Sequence, residues 1–339
     1  MDRPLWPGRP EGRIRDVDDV TTDLLIIGAG PTGLFSAYYA GFRGMSVAVV
    51  DSLPELGGQI TAMYPEKAIL DVAGFPSVKG RDLVEGLVTQ AATADPTYLL
   101  DRTAITLDHG EDQVVVTLDD GTRVTAGAVL ITSGIGKFSP RPLPAGDGWV
   151  GRGMEFFVPS FAPYAGKDVV VVGGGDSAFD WAQHLEPIAA SVTLVHRRDA
   201  FRAHERTVAA VRDSSVEIVT NAQVTELRGA AHLEEVVITV DGQDPHVRPA
   251  QALVAALGFI ADLGAIQQWG LETNKRHVVV DSSMRTNLPR VFAAGDITDY
   301  PGKVRLIAVG FGEAATAVNN AAVVLDPAAH VFPGHSSEG

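Results

Sequence analysis
Apolar residues in this chain gather into short unbroken runs that end abruptly at glycine. Leu24-Leu-Ile-Ile27 runs into Gly28-Ala-Gly30-Pro-Thr-Gly33, and a helix-like stretch, Leu34-Phe-Ser-Ala-Tyr-Tyr-Ala, follows. Val169-Val-Val-Val172 runs into Gly173-Gly-Gly175-Asp-Ser-Ala178, followed by Phe179-Asp-Trp-Ala. Short runs with no polar alternation predict strands buried on both faces, as in a parallel sheet. The plan strand, glycine turn, helix therefore occurs twice. Each copy leads to an alternating stretch with an Asp-Gly turn. Gln113-Val-Val-Val-Thr-Leu118 precedes Asp120-Gly121, and Glu235-Val-Val-Ile-Thr-Val240 precedes Asp241-Gly242. Both stretches predict β-hairpins. Each then reaches a further apolar strand, Ala128–Gly134 in the first copy and Ala252–Gly258 in the second.

The glycine turns carry a chemistry. In a dinucleotide-binding strand–turn–helix the first glycine makes the tight turn and the second lets backbone approach a pyrophosphate. The third lets the helix pack on the strand, and alanine is tolerated there. Gly28, Gly30 and Gly33 fill these places in the first copy, and Gly173, Gly175 and Ala178 in the second. The helix N-terminus offers free N–H groups and partial positive charge to phosphate. The next strands differ. Ser46–Val50 ends at Asp51, and Ser191–Val195 ends at His196-Arg197-Arg198, equally far past the first glycine, with Arg202 close behind. A carboxylate accepts from both ribose hydroxyls of an unphosphorylated adenosine, which suits FAD or NAD. Guanidinium forks match a phosphate dianion, so the second turn, with Asp176 at its helix start, predicts NADP. A last apolar strand ends at Gly295-Asp296 and leads into the small-residue helix that begins at Ile307. The second dinucleotide unit is thus expected as an insertion in the first.

Composition narrows the chemistry. The chain has 339 residues, a formal net charge of −15 and no cysteine. An acidic surface argues against bulk nucleic-acid binding. Without thiols there is no disulfide, no thiolate-held iron–sulfur cluster and no thiol nucleophile. The opening residues are polar and rich in Pro, Gly and Arg, and lack the apolar core of a secretory signal. They are expected to form a flexible extension over residues 1–20. No apolar run reaches the length, about 20 residues, that a membrane helix needs. A cytoplasmic protein with no membrane partner is the expectation.

Several stretches carry a resemblance: Ser52-Leu-Pro-Glu-Leu-Gly-Gly-Gln59, Tyr64-Pro-Glu-Lys, Asp71-Val-Ala-Gly-Phe-Pro76, Lys137-Phe138-Ser-Pro-Arg, Val195-His-Arg-Arg-Asp-Ala-Phe-Arg202-Ala-His-Glu and Phe332-Pro-Gly-His335-Ser-Ser337. In this order the chain resembles the thioredoxin-reductase-like family of ferredoxin–NADP reductases, over nearly its whole length. The resemblance implies an α/β protein of two Rossmann-like dinucleotide-binding domains, each with a β-meander. It implies FAD and NADP(H) as cofactors, a homodimer, and ferredoxin, an iron–sulfur protein, as partner. FAD contacts would fall on Thr32, Asp51, Gln59, Tyr64, Ala104, Phe138, Asp296 and Ser337. Tyr64 would stack on one flavin face and His335 would cover the other, and neither is obliged to act as acid or base. Residues 21–147 and 262–327 would form the FAD domain and 148–261 the NADPH domain, with both crossings candidate hinges. Residues 328–339 would form a tail over the flavin. Thioredoxin reductases carry a Cys-x-x-Cys that takes electrons from the flavin, and the corresponding region here, Gly151–Pro159, has no thiol. Electrons must then leave from the flavin itself. Two alternatives stay open at this point: another NADPH-dependent flavin reductase acting on a low-molecular-weight disulfide, quinone or dioxygen, and a non-catalytic FAD/NADPH redox sensor. Arg3, Arg9, Arg13, Arg15, Lys79 and Arg81 are candidate basic contacts for a partner.

Overall fold
A computed structural model describes residues 19–332 and 334, and the side chains of all of these but 137, 138 and 261. Residues 1–18 of the expected extension, with Arg3, Arg9, Arg13 and Arg15, and also His335, Ser337 and the side chain of Phe138, lie outside what is described. Asp19 and Val20, expected in that extension, instead already pair with Arg123 and Val124 in a parallel strand. The chain divides into two compact units. Of the described residues, one holds those up to Lys137 and from Ala261 onward, and the other holds Phe138–Ile260.

The first unit is built on a seven-stranded sheet. Its central strand β1 (Asp19–Ile27) runs parallel to β2 (Val47–Asp51) on one side and to Arg123–Ile131 on the other. Leu24, Leu25 and Ile26 are wholly buried, as a strand covered on both faces requires. Each such side chain contributes about 1.5–3 kcal/mol of burial. Helices α1 (Pro31–Phe42), α3 (Gly80–Ala92) and α6 (Ile307–Leu325) cover the sheet, and α1 packs against both of the others. A short helix α2 (Gln59–Met63) lies between α1 and α3 in the chain.

The meander is not a separate hairpin followed by a new strand. Arg123–Ile131 is one continuous strand of nine residues. Its first half pairs antiparallel with Val114–Leu118, and its last residues pair parallel with Val291–Ala293. One strand thus joins the meander to the dinucleotide sheet.

The second unit repeats the plan with one difference. Five parallel strands form its sheet, with Asp168–Val172 central between Ala252–Ala255 and Ser191–Val195. Helix α4 (Asp176–Leu185) follows the glycine turn, and α5 (Glu205–Arg212) follows the arginine-bearing loop. Here the meander is a separate three-stranded sheet. Its last strand ends at Pro249, which has no N–H to continue a ladder, and the sheet strand starts afresh at Ala252.

Two expectations are corrected. Residues 138–147, read with the FAD domain, belong to the second unit: Arg141 N–H donates to Gly258 O at 2.9 Å, and Leu143 packs in that unit's core. The chain also does hold a segment of membrane-helix length. By length and composition α6 could cross a membrane, with a mean hydropathy of 1.3. Its mixture of glycine, alanine, threonine and asparagine hides this in a search for greasy runs. Half of it is buried in the protein, through small residues such as Ala314, Ala317 and Ala321.

Candidate cofactor sites
At the first turn, steric contacts dictate the glycines. Gly28 has φ +115°, and a Cβ there would meet the Thr132 carbonyl oxygen at 2.5 Å. A side chain at Gly33 would collide with the Gly28 carbonyl. Gly30 differs, because a Cβ there would point into open space. No side chain caps α1, and Pro31 opens it, so its first N–H groups face that space free of side-chain competition. Ser133, at the end of the neighbouring strand, has a buried hydroxyl oxygen without a hydrogen-bond partner among the described residues. An open glycine, a bare helix terminus and an orphaned hydroxyl fit a pyrophosphate-bearing ligand.

Asp51 stands where the adenosine ribose would lie. Ala29 N–H donates to its Oδ2 at 2.6 Å and Leu53 N–H to its Oδ1 at 2.8 Å. Each oxygen keeps a further lone pair for a ribose hydroxyl. Burial pushes the Asp51 carboxyl upward, and the two backbone bonds work against that shift. Ala104 is buried at the start of the meander, just after Arg102, whose N–H donates to the Asp51 carbonyl. It therefore lies close to Asp51 in the fold.

At the other end three elements meet around Thr32. A Cβ at Gly295 would lie 2.9 Å from its hydroxyl oxygen, and one at Gly310, on α6, 2.5 Å away. Asp296 follows Gly295 and is close enough to Tyr64 that its charge, after burial, helps push the Tyr64 phenol up to about 12. Tyr64 ends α2 and packs on the edge of the core. Gln59 begins α2, with its Nε2 3.0 Å from where a Gly134 Cβ would stand. Burial raises the Asp296 carboxyl, opposed by Lys303 and Arg305. Thr32, Gln59, Tyr64 and Asp296 are thus gathered on one side of the sheet's end from four separate stretches.

The second turn is fastened to its arginine loop. Arg202 N–H donates to Gly174 O at 2.7 Å, and His204 N–H to Asp176 Oδ1 at 2.8 Å. The His196 ring lies where a Gly174 side chain would be. Burial, then the neighbouring arginines, hold His196 below its ordinary value. Arg197, Arg198 and Arg202 are exposed, and none pairs with a carboxylate among the described residues. Three cations beside a glycine turn and a helix start fit a 2′-phosphate. Ala178 is wholly buried, with its methyl in the gap left by Gly173.

Some features escaped sequence reading. Lys79 and Arg81, candidate basic contacts for a partner, both pair with Glu66. The Ser133 hydroxyl, the His196 packing and a buried cluster around Glu313 were unseen. Only Glu313 left a trace, as the lone charge in the apolar helix Ile307–Leu325.

A family model described as pyridine nucleotide-disulphide oxidoreductase matches residues 22–321, across both units. A ferredoxin–NADP reductase of Nocardioides sp. is 80% identical over 324 residues, 94% of this chain and 98% of that protein. Ferredoxin–NADP reductase 2 of Shouchella clausii is 49% identical over 319 residues, 93% of this chain and 97% of its own. The chain belongs to the ferredoxin–NADP reductases. In fold it is similar to thioredoxin reductase from T. acidophilum, with a TM-score of 0.75 and 24% identity over 90% of this chain and 97% of that one. Unlike a dithiol enzyme, this ferredoxin–NADP reductase family member contains no cysteine.

Proposed function
We propose that this protein is an NADPH:ferredoxin oxidoreductase with FAD at the first glycine turn and NADP(H) at the second. The carrying observation is the contrast at the ends of the second strands: a half-buried carboxylate, Asp51, in one unit and, in the other, three arginines without a carboxylate partner among the described residues. FAD, when bound, supplies a centre that takes two electrons from NADPH and passes them singly to two ferredoxins.

The protein's own part is binding and exclusion. Gly28, Gly30, Gly33 and the α1 terminus take the pyrophosphate, and Asp51 takes the adenosine ribose. Thr32, Gln59 and Asp296 hold the middle of the molecule, and Ala104 lines the adenosine end. Tyr64 lies over one flavin face and stays a neutral phenol, since burial and nearby acids raise its pKa to about 12. His335, Ser337 and Phe138 complete this site, in a homodimer in which the tail covers a flavin. Gly173, Gly175, Asp176, Arg197, Arg198 and Arg202 hold NADP(H). The absence of thiols supports direct transfer out of the flavin, and the reading places the protein in the cytoplasm.

An anaerobic titration tests the reaction. NADPH should bleach the flavin with one equivalent, and added ferredoxin should restore the oxidised spectrum. Reduction of a low-molecular-weight disulfide or quinone with no ferredoxin reduction would reject this choice. Sedimentation equilibrium checks the dimer.

A further inference from the structure
The most enclosed charges among the described residues serve no part of the reaction above. Lys303 and Glu313 form an ion pair at 2.5 Å with side chains only 2% and 5% exposed. Burying two ions costs several kcal/mol each, and an apolar pair of similar volume is commonly as stable. Stability alone therefore does not account for the pair. What it touches does.

The ladder between Val291–Ala293 and Arg123–Ile131 ends with Ala294 N–H on Ile131 O. The next peptide, at Gly295, turns away with φ +83°. Its polar groups have left the ladder; the pair meets both of them, and Thr298 N–H also donates to Gly295 O at 3.1 Å. Gly295 N–H donates to Glu313 Oε2 at 2.7 Å. Lys303 Nζ donates to Gly295 O at 3.0 Å, and Thr298 Oγ1 donates to the same oxygen at 2.8 Å. Tyr300 OH donates to Glu313 Oε1 at 2.5 Å. Gly310, one turn before Glu313 on the same helix face, supplies the gap in which Thr32 and Gly295 approach α6. The backbone directly before Asp296 is thus gripped from both sides by one carboxylate and one ammonium.

We infer that Glu313, with Lys303 and Tyr300, is a positioning residue that sets the Gly295–Asp296 turn for FAD. This rests on the FAD reading of the first site. The adenosine end has its own anchor, Asp51, which is held by the N–H groups of Ala29 and Leu53 and shares no hydrogen bond with the pair. A defect in the pair should therefore be felt by whole FAD and not by its adenosine diphosphate half.

The test uses full-length apoprotein reconstituted with FAD, followed by flavin fluorescence, with ADP as a competitor of FAD binding. Glu313→Gln keeps an acceptor for Gly295 but leaves Lys303 without a counter-charge. Glu313→Leu with Lys303→Met removes both charges at similar volume. Tyr300→Phe removes one donor and is the mildest change. The expected result is an FAD dissociation constant raised about tenfold or more in the first two and about threefold in Tyr300→Phe, from loss of hydrogen bonds to a charged group. The ADP inhibition constant should stay within about twofold of wild type. The double variant should also keep its melting temperature while remaining weak for FAD. Unchanged FAD affinity in the folded variants overturns the proposal. So does parallel weakening of FAD and ADP, which marks a general structural role. If Glu313→Gln does not fold, the double variant and Tyr300→Phe decide on the same criteria. Wild-type apoprotein that ignores FAD would instead reject the assignment of the first site.

Discussion
The two glycine turns have the same scaffold and opposite electrostatics. At the first, the deciding residue is drawn inward: Asp51 is partly buried and held by the N–H groups of Ala29 and Leu53. At the second, the deciding residues are left outside: Arg197, Arg198 and Arg202 are exposed, while only the backbone of their loop is tied to the turn. Ribose hydroxyls are neutral and weakly bound, so their acceptor must be fixed before they arrive. A phosphate dianion attracts guanidinium groups from solvent, so the cations need only stand near. The contrast teaches that one fold can present a pre-set, half-buried acceptor at one turn and solvated positive charge at the other.

The comparison can be broken most forcefully at the second turn. Replacing Arg197, Arg198 and Arg202 together by alanine should lower kcat/KM for NADPH about 1000-fold, from charge-assisted bonds of about 1.5–3 kcal/mol each, and leave that for NADH little changed. Steady-state kinetics with both nucleotides reads this, and equal losses for the two would contradict a 2′-phosphate role. At the first turn, Asp51→Ala should weaken FAD binding about 100-fold in a reconstitution assay, with NADPH binding intact.

The third position of each turn offers a smaller contrast. Gly33→Ala forces a methyl into the Gly28 carbonyl and should cost about 1–3 kcal/mol in thermal or urea unfolding. Ala178→Gly meets no clash and should cost about 1 kcal/mol, chiefly helix propensity. Reversed magnitudes would refute the packing account.

The smallest effect is one of pH. On the proposed assignment FAD hydroxyls would donate to the ionised forms of Asp51 and Asp296, and burial raises both carboxyls. A bound proton must leave before FAD is held, so affinity should fall on acidification, starting at higher pH than an ordinary carboxylate would give. Asp51→Asn should flatten that profile, and an identical slope in the variant would remove Asp51 from the linkage.

Much was legible because some signals are local. A four-residue apolar run before glycines predicts a buried strand and a tight turn wherever it occurs. The offset from Gly28 to Asp51 equals that from Gly173 to His196, which Arg197 and Arg198 follow, and it carries the cofactor contrast because strand–turn–helix–strand geometry repeats. The meander turns at Asp120-Gly121 and Asp241-Gly242 were likewise readable, since left-handed backbone selects glycine. The join of meander and sheet in Arg123–Ile131 was not, because pairing on both edges of one strand is decided by its neighbours.

Residue chemistry along the chain thus settled which ligands each turn is suited to hold: charge sign, glycine spacing and the lack of sulfur are properties of order alone. Assembly settled how that chemistry is set in place. Tyr64 and Asp296, far apart in the chain, come within each other's field only in the folded protein. Lys303 and Glu313 acquire their function only once water is removed from around them. Coulomb attraction and hydrogen bonding are weak in solvent and strong in a dry interior, and no linear pattern states where the interior will be.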